Sequence, residues 1–191
     1  MKRFDSQFPA QILLCDANVL IDYMTVSGFE LIARICSCGY TIHVPDIVLF
    51  EVDRLSFEQA ERIGLKVLPT PLSALRQDIR GLSLEDTACL YFVEKDGMVC
   101  VTNDKKLRAT CQKHSGKVMW GLELLLKLVQ QGYLPATEAL EIVQNISRVN
   151  TNITPAILHD FEKKLSALVS IECSEKQNAY GHRRGYWGWS L

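Results

Sequence analysis

The sequence predicts an α/β fold of three layers: a central parallel sheet of about five strands flanked by helices, with a C-terminal helical extension. Three observations predict it. Short apolar runs recur between residues 11 and 120 and alternate with segments of helical spacing, as βαβ units require. The boundaries between them carry start and stop residues, among them Asp16, Gly39, Pro45, Gly64 and Ser83. Beyond Trp120 the pattern is helical throughout.

"QILLCD" (11–16) is an apolar strand closed by an acid, followed by the helix "ANVLIDYM" and then "FELIARICSCG", which stops on Gly39. "YTIHVP" (40–45) is a second strand ended by Pro45, after which Asp46 can cap one long helix, "IVLFEVDRLSFEQAERI", running to Gly64. "LKVLP" (65–69) is a third strand, and "SLEDTACLYFVEKDG" (83–97) a helix opened by a Ser83-x-x-Asp86 capping box. The strand "MVCVT" (98–102), the helix "KKLRATCQKH" and the short strand "KVMW" (117–120) complete the alternating part. Three helices follow, at 121–132, 137–149 and 154–169, the last with Thr154 as N-cap and Pro155 in its first turn. No linker separates them from the sheet, so residues 1–169 are expected to form one domain, with a core at about 10–120 and an extension at 121–169. Periodicity fades after Ser170, and 170–191 is expected to be a tail.

The 191 residues are 48% hydrophobic and 23% charged, ordinary values for a globular chain long enough to bury one core. The seven cysteines are odd in number, lie mostly in apolar segments and follow no signal peptide, which argues against a disulfide framework and for a cytoplasmic setting. Cys36 and Cys38 lack a second ligand pair and are expected to be core thiols. No apolar stretch is long enough to cross a membrane. The net charge of −1 gives no global attraction to nucleic acid, so such a partner needs a local basic patch.

Four acids stand out on this skeleton. Asp16 and Asp104 follow the first and fourth strands, at the strand ends where parallel sheets hold ligands. Glu51 shares helical spacing with Ile47, Val48 and Leu55, and Asp86 with Cys89, Leu90 and Val93, which places both on faces expected to point inward. Each has a plainer role: Asp16 and Asp104 as helix N-caps, Glu51 as a solvated side chain, Asp86 as half of its capping box. Their convergence at one end of one sheet tips the balance. Two carboxylates about 4 Å apart repel by about 4 kcal/mol at an effective dielectric of about 20, so a cluster persists only if protonated or holding a cation. An all-carboxylate set selects a hard divalent ion, Mg²⁺ or Mn²⁺.

The ordered segments "LLCDANVLID", "VPDIVLFEV", "LSLEDTACL" and "VCVTNDKKLR" resemble those of the PIN-domain nucleases, and especially the VapC-like toxins of toxin-antitoxin pairs. The resemblance spans roughly residues 10–120; its most specific part is the pairing of "DANVLI" near the N-terminus with "TND" eighteen residues past the Asp of a Leu-Ser-x-x-Asp helix. It implies a catalytic, metal-binding pocket of Asp16, Glu51, Asp86 and Asp104, supported by Asn18, Thr102 and Asn103, holding one or two Mg²⁺ or Mn²⁺ ions and cleaving RNA. It also implies a protein antitoxin, and a homodimer surface or antitoxin groove built from the helices of 121–169. The extension and the aromatic-rich tail go beyond what these motifs cover.

Lys105, Lys106, Arg108 and Lys113, with His114 and Lys117, form an acid-free basic run directly after Asp104. It reads either as a solvated helix face or as contacts to a nucleic-acid backbone. The tail "YGHRRGYWGWSL" interleaves arginines with aromatics, suiting base stacking, a protein interface or packing onto the chain's own core. Two other functions fit the same acids: a non-catalytic scaffold subunit of an RNA-processing complex, and a metal-dependent DNA nuclease.

Overall fold

In a computed structural model, which describes residues 12–181 apart from 54 and 78, the apolar runs pair into one parallel sheet. The chain is mixed α/β and mostly helical. Its first part runs β1 (Ile12–Cys15), α1 (Ala17–Ser27), α2 (Glu30–Ser37), β2 (Thr41–Pro45), α3 (Asp46–Leu49), α4 (Phe57–Arg62), β3 (Lys66–Leu68), α5 (Leu72–Leu75), α6 (Leu84–Asp96), β4 (Val99–Val101), α7 (Lys105–Lys113) and β5 (Val118–Met119). Then come α8 (Gly121–Gln130), α9 (Ala136–Val149) and α10 (Pro155–Gly181).

The strand order is β3-β2-β1-β4-β5, every pair parallel. β1 sits at the centre, with Leu14 opposite His43 on one side and Cys100 on the other. The strands are short, the outer ones two or three residues. The chain leaves β1 toward β2 and leaves β4 toward β5, so its direction of travel across the sheet reverses between β1 and β4. In open parallel sheets that reversal leaves a crevice at the strand C-terminal ends. Asp16 and Thr102 are the first residues past those two ends.

Burial follows the expected pattern. Val19, Leu20, Tyr23, Ile32, Ile35, Ile42, Val44, Leu90, Cys100, Val101 and Leu107 are buried, each large aliphatic contributing about 1.5–3 kcal/mol. Helix α6 packs on β1, β2 and β4 and closes on Gly97, whose φ of 64° is left-handed and suits glycine.

Five expectations need correction. The single helix expected over 47–63 is two: α3 ends at Leu49, a turn follows, and Ser56 opens α4 through a capping box with Gln59. Asp46 does not cap α3 from outside but sits in its first turn, where its carboxylate accepts from the N–H groups of Ile47 and Thr70 and ties α3 to the exit of β3. The short helix α5 lies in a stretch with no predicted element. Cys36 and Cys38 are half-buried rather than in the core, because α2 ends between them at Ser37. Helix α10 continues past residue 169 to Gly181: "IECSEKQNAY" is rich in good helix formers although it lacks an apolar stripe. Residues 182–191, which carry the arginines and tryptophans of the tail, lie outside the described residues.

The chain divides into two compact units, 1–124 and 125–191, where the sequence reading has one domain to residue 169. The first holds the sheet. In the second, α9 packs against α10, with Ala139, Val143, Ile146, Phe161 and Leu165 buried. Among the described residues no helix is long and apolar enough to cross a membrane.

Candidate functional site

Two loops of similar design follow the C-terminal ends of β1 and β4, where a parallel sheet of this order leaves its crevice. At the exit of β1, Asp16 donates its backbone N–H to Val101 O (3.2 Å) and caps α1, its Oδ1 accepting from Val19 N (3.1 Å). At the exit of β4, Asp104 caps α7, its Oδ1 accepting from Lys106 N (2.8 Å) and Leu107 N (2.7 Å). Thr102, fully buried, accepts from the N–H of Asp104 (2.9 Å) through its hydroxyl oxygen. The plain capping roles of both acids are therefore real, and each uses one carboxylate oxygen.

The other oxygen of Asp16 sets this site apart. Oδ2 is buried and accepts no hydrogen bond of ordinary geometry, although the Thr102 hydroxyl lies close enough to the carboxyl to favour its charged form. Burial pushes the Asp16 carboxyl from 3.8 up to about 6; the Thr102 hydroxyl and the Val19 N–H pull it down, and the nearby charges of Asp86 and Asp104 push it up. A buried carboxylate oxygen without a donor costs a few kcal/mol unless protonated or paired with a cation.

Asp86 reaches the same region from α6. It completes the capping box with Ser83, whose hydroxyl accepts from Asp86 N (3.0 Å) while Asp86 Oδ2 accepts from Ser83 N (3.3 Å). Half-buried, it is raised above the ordinary carboxylate range, first by desolvation and then, against the Ser83 hydrogen bonds, by Asp104 and Glu85. The structure thus brings Asp16, Asp86 and Asp104 within electrostatic reach of one another. Glu51 differs from expectation. It lies in the turn after α3, exposed and beside Phe50, which is 80% exposed, so it is on no inward helix face. Its carboxyl is raised by partial desolvation and by Glu85 and Asp86, which places it on the rim of the cluster.

Of the supporting residues, Asn18 is exposed on α1. Asn103 is a tie between elements: its Nδ2 donates to Asp22 Oδ2 (3.0 Å) and its Oδ1 accepts from Gly121 N (3.1 Å). Asp22, only 6% exposed, is the buried acid that sequence reasoning passed over. The available signal was its place on α1 between the core residues Val19 and Tyr23.

The basic run also divides. Lys105, Lys106 and Lys113 are exposed, and Lys106 lies over Gly81 in the loop that leads to Ser83. Arg108 does not face solvent: its guanidinium stacks over Trp120 at 4.2 Å and lies 3.9 Å from Glu123 Oε2, with only 16% of the side chain exposed. Packing holds that cation against Trp120, with its Nη1 buried and lacking a hydrogen-bond partner.

Among the described residues no three His, Cys, Asp or Glu side chains stand close enough, as placed, to chelate an ion. The donor chemistry nonetheless fits a hard cation: carboxylates only, one oxygen buried and unpartnered, at the crevice of a parallel sheet. No family model matches the chain, and no curated protein matches it.

Proposed function

We propose that this chain is a metal-dependent endoribonuclease of the PIN type, acting in the cytoplasm as the toxin of a toxin-antitoxin pair. The observation that carries the reading is the buried Asp16 Oδ2, which lacks a hydrogen-bond partner at the C-terminal end of β1 while the charges of Asp86 and Asp104 act on the same carboxyl. Right-handed crossovers on the order β3-β2-β1-β4-β5 would put α1 to α4 on one face and α6 and α7 on the other, supporting a three-layer fold. Asp16, Asp86 and Asp104 would hold one or two Mg²⁺ or Mn²⁺ ions, with Glu51 approaching from the rim.

When bound, such an ion supplies a water acidic enough to ionise near neutral pH and offsets charge that develops on the phosphate. The chain's own residues do the rest. Val19 N–H fixes Asp16 Oδ1 and leaves Oδ2 as the oxygen available to a cation. Thr102 fixes the turn at which Asp104 begins. Lys105, Lys106 and Lys113 line the exposed side of α7 as points of attachment for an RNA backbone. A homodimer surface or an antitoxin groove is proposed for the helices of 121–169.

One observation favours a second reading. Asp86 and Asp104 are each occupied in helix caps, which a non-catalytic scaffold subunit of an RNA-processing complex would also retain. Cleavage of total RNA and of labelled single-stranded DNA separates the cases, using wild type and Asp16→Asn with Mg²⁺, Mn²⁺ or excess EDTA. RNA cuts that need metal and vanish in Asp16→Asn are expected. No cleavage by folded wild type supports the scaffold, and cleavage of DNA alone supports a DNA nuclease. Growth arrest when the chain is expressed by itself tests the toxin role, and unimpaired growth with verified folded protein would count against it.

A further inference from the structure

Asn103 lies between two residues of the crevice, Thr102 and Asp104, yet its side chain turns away into a buried node. Its Nδ2 donates to Asp22 Oδ2 (3.0 Å), and its Oδ1 accepts from Gly121 N (3.1 Å). The next residue on α1, Tyr23, donates its hydroxyl to Gly121 O (2.7 Å), so both main-chain groups of Gly121 are held. Asp22 and Tyr23 are 6% and 1% exposed. A Cβ on Gly121 would lie 3.3 Å from both Asn103 Oδ1 and Val19 Cγ1, a tight fit that these neighbours would have to yield to.

Helix α1 therefore carries Asp16 at its N-terminus and, two turns on, Asp22, which grips the loop holding Asp104, and Tyr23, which holds Gly121. The geometry points to Asn103 as a positioning residue: by tying the β4 exit to Asp22 of α1 and to the start of α8, it sets the spacing of the Asp16 and Asp104 carboxylates and so the affinity of the crevice for a divalent cation. This rests on the metal reading proposed above. Groups that hold ligands in place typically change metal affinity about 10- to 100-fold when removed.

The test is calorimetric titration of the full chain with Mn²⁺, with the melting temperature in EDTA measured beside it. Asn103→Ala is expected to weaken Mn²⁺ binding by about tenfold or more. The exchange Asp22→Asn with Asn103→Asp keeps both hydrogen bonds, the new amide donating to the new carboxylate, and is expected to recover most of the affinity. Tyr23→Phe deletes only the hydroxyl on Gly121 and serves if Asn103→Ala does not fold; its loss should be smaller and in the same direction. A lower melting temperature with unchanged affinity in both Asn103→Ala and Tyr23→Phe would make the node a purely structural tie and overturn the inference. Failure of a folded exchange variant to recover affinity would overturn the Asp22 link. Wild type that takes up no Mn²⁺ would sink the metal reading, and this inference with it.

Discussion

Replacing Asp16 with Asn should make the metal-free protein more stable at neutral pH, although Asp16 caps a helix. In the folded chain this carboxyl is lifted from 3.8 to about 6, chiefly by burial. A folded-state pKa above the unfolded one means that its contribution is favourable and complete below about pH 3.8 and is lost as pH rises through about 6. At about 1.4 kcal/mol per pH unit, the loss comes to about 3 kcal/mol. Asn retains an oxygen for Val19 N, and as an N-cap it is as good as Asp, so the cap should survive. The remaining cost, an unsatisfied amide N–H where Oδ2 stood, trims the gain, leaving about 1–3 kcal/mol. Urea unfolding in EDTA, followed by far-ultraviolet circular dichroism at about pH 4 and about pH 7.5, reads the difference directly. The variant should gain on wild type only at the higher pH. Adding Mn²⁺ should stabilise wild type and leave Asp16→Asn unmoved. A difference between variant and wild type that is the same at both pH values would refute the argument, since it would mean that Asp16 carries no raised pKa in the fold.

Asp104 allows its two roles to be separated: Asp104→Ala should cost about 1 kcal/mol through loss of the α7 cap and Asp104→Asn only a few tenths, while both abolish metal-dependent cleavage, as melts and nuclease assays on the same preparations will show. Replacing Lys105, Lys106 and Lys113 by Ala should lower the slope of log affinity against log salt for a single-stranded RNA by about 0.7 for each phosphate no longer neutralised. Arg108→Ala should leave that slope unchanged and instead destabilise the fold by about 1–2 kcal/mol, because its guanidinium is packed on Trp120 with little of the side chain exposed. Mn²⁺ affinity measured by calorimetry should fall as pH drops below about 6, where protons compete with the ion for Asp16.

What the sequence made legible was the part written in local rules. The apolar runs ending at Asp16, Pro45 and Thr102 are strands because their neighbours cap or break, and the Ser83-x-x-Asp86 box opens α6 as its pattern requires. The break in the 47–63 segment also had a local signal, Ser56-x-x-Gln59, but the apolar spacing of Val48, Val52 and Leu55 suits a continuous helix equally well. All three side chains are buried, two of them from the turn beyond α3, which shows that burial does not require the helix that spacing implies. Glu51 moved to the rim for that reason. Arg108 and Asn103 were illegible for another: their partners, Trp120, Asp22 and Gly121, are 12 to 81 residues away in the chain. Charge alone counted Arg108 with the lysines, and only tertiary packing distinguishes it.

The central place of β1 has a bearing on when the protein can act. Its pairing with β4 joins residues 13–15 to 99–101, so Asp16 waits for most of the first unit to be made before it meets the Asp104 turn. Pairings of such long range form late and slowly, after the loop-closure cost of the intervening chain. A nascent chain that has reached β3 already holds Asp16 and Glu51 but lacks both Asp86 and Asp104. Until β4 and the turn after it have been made, the chain therefore holds Asp16 and Glu51 without Asp104.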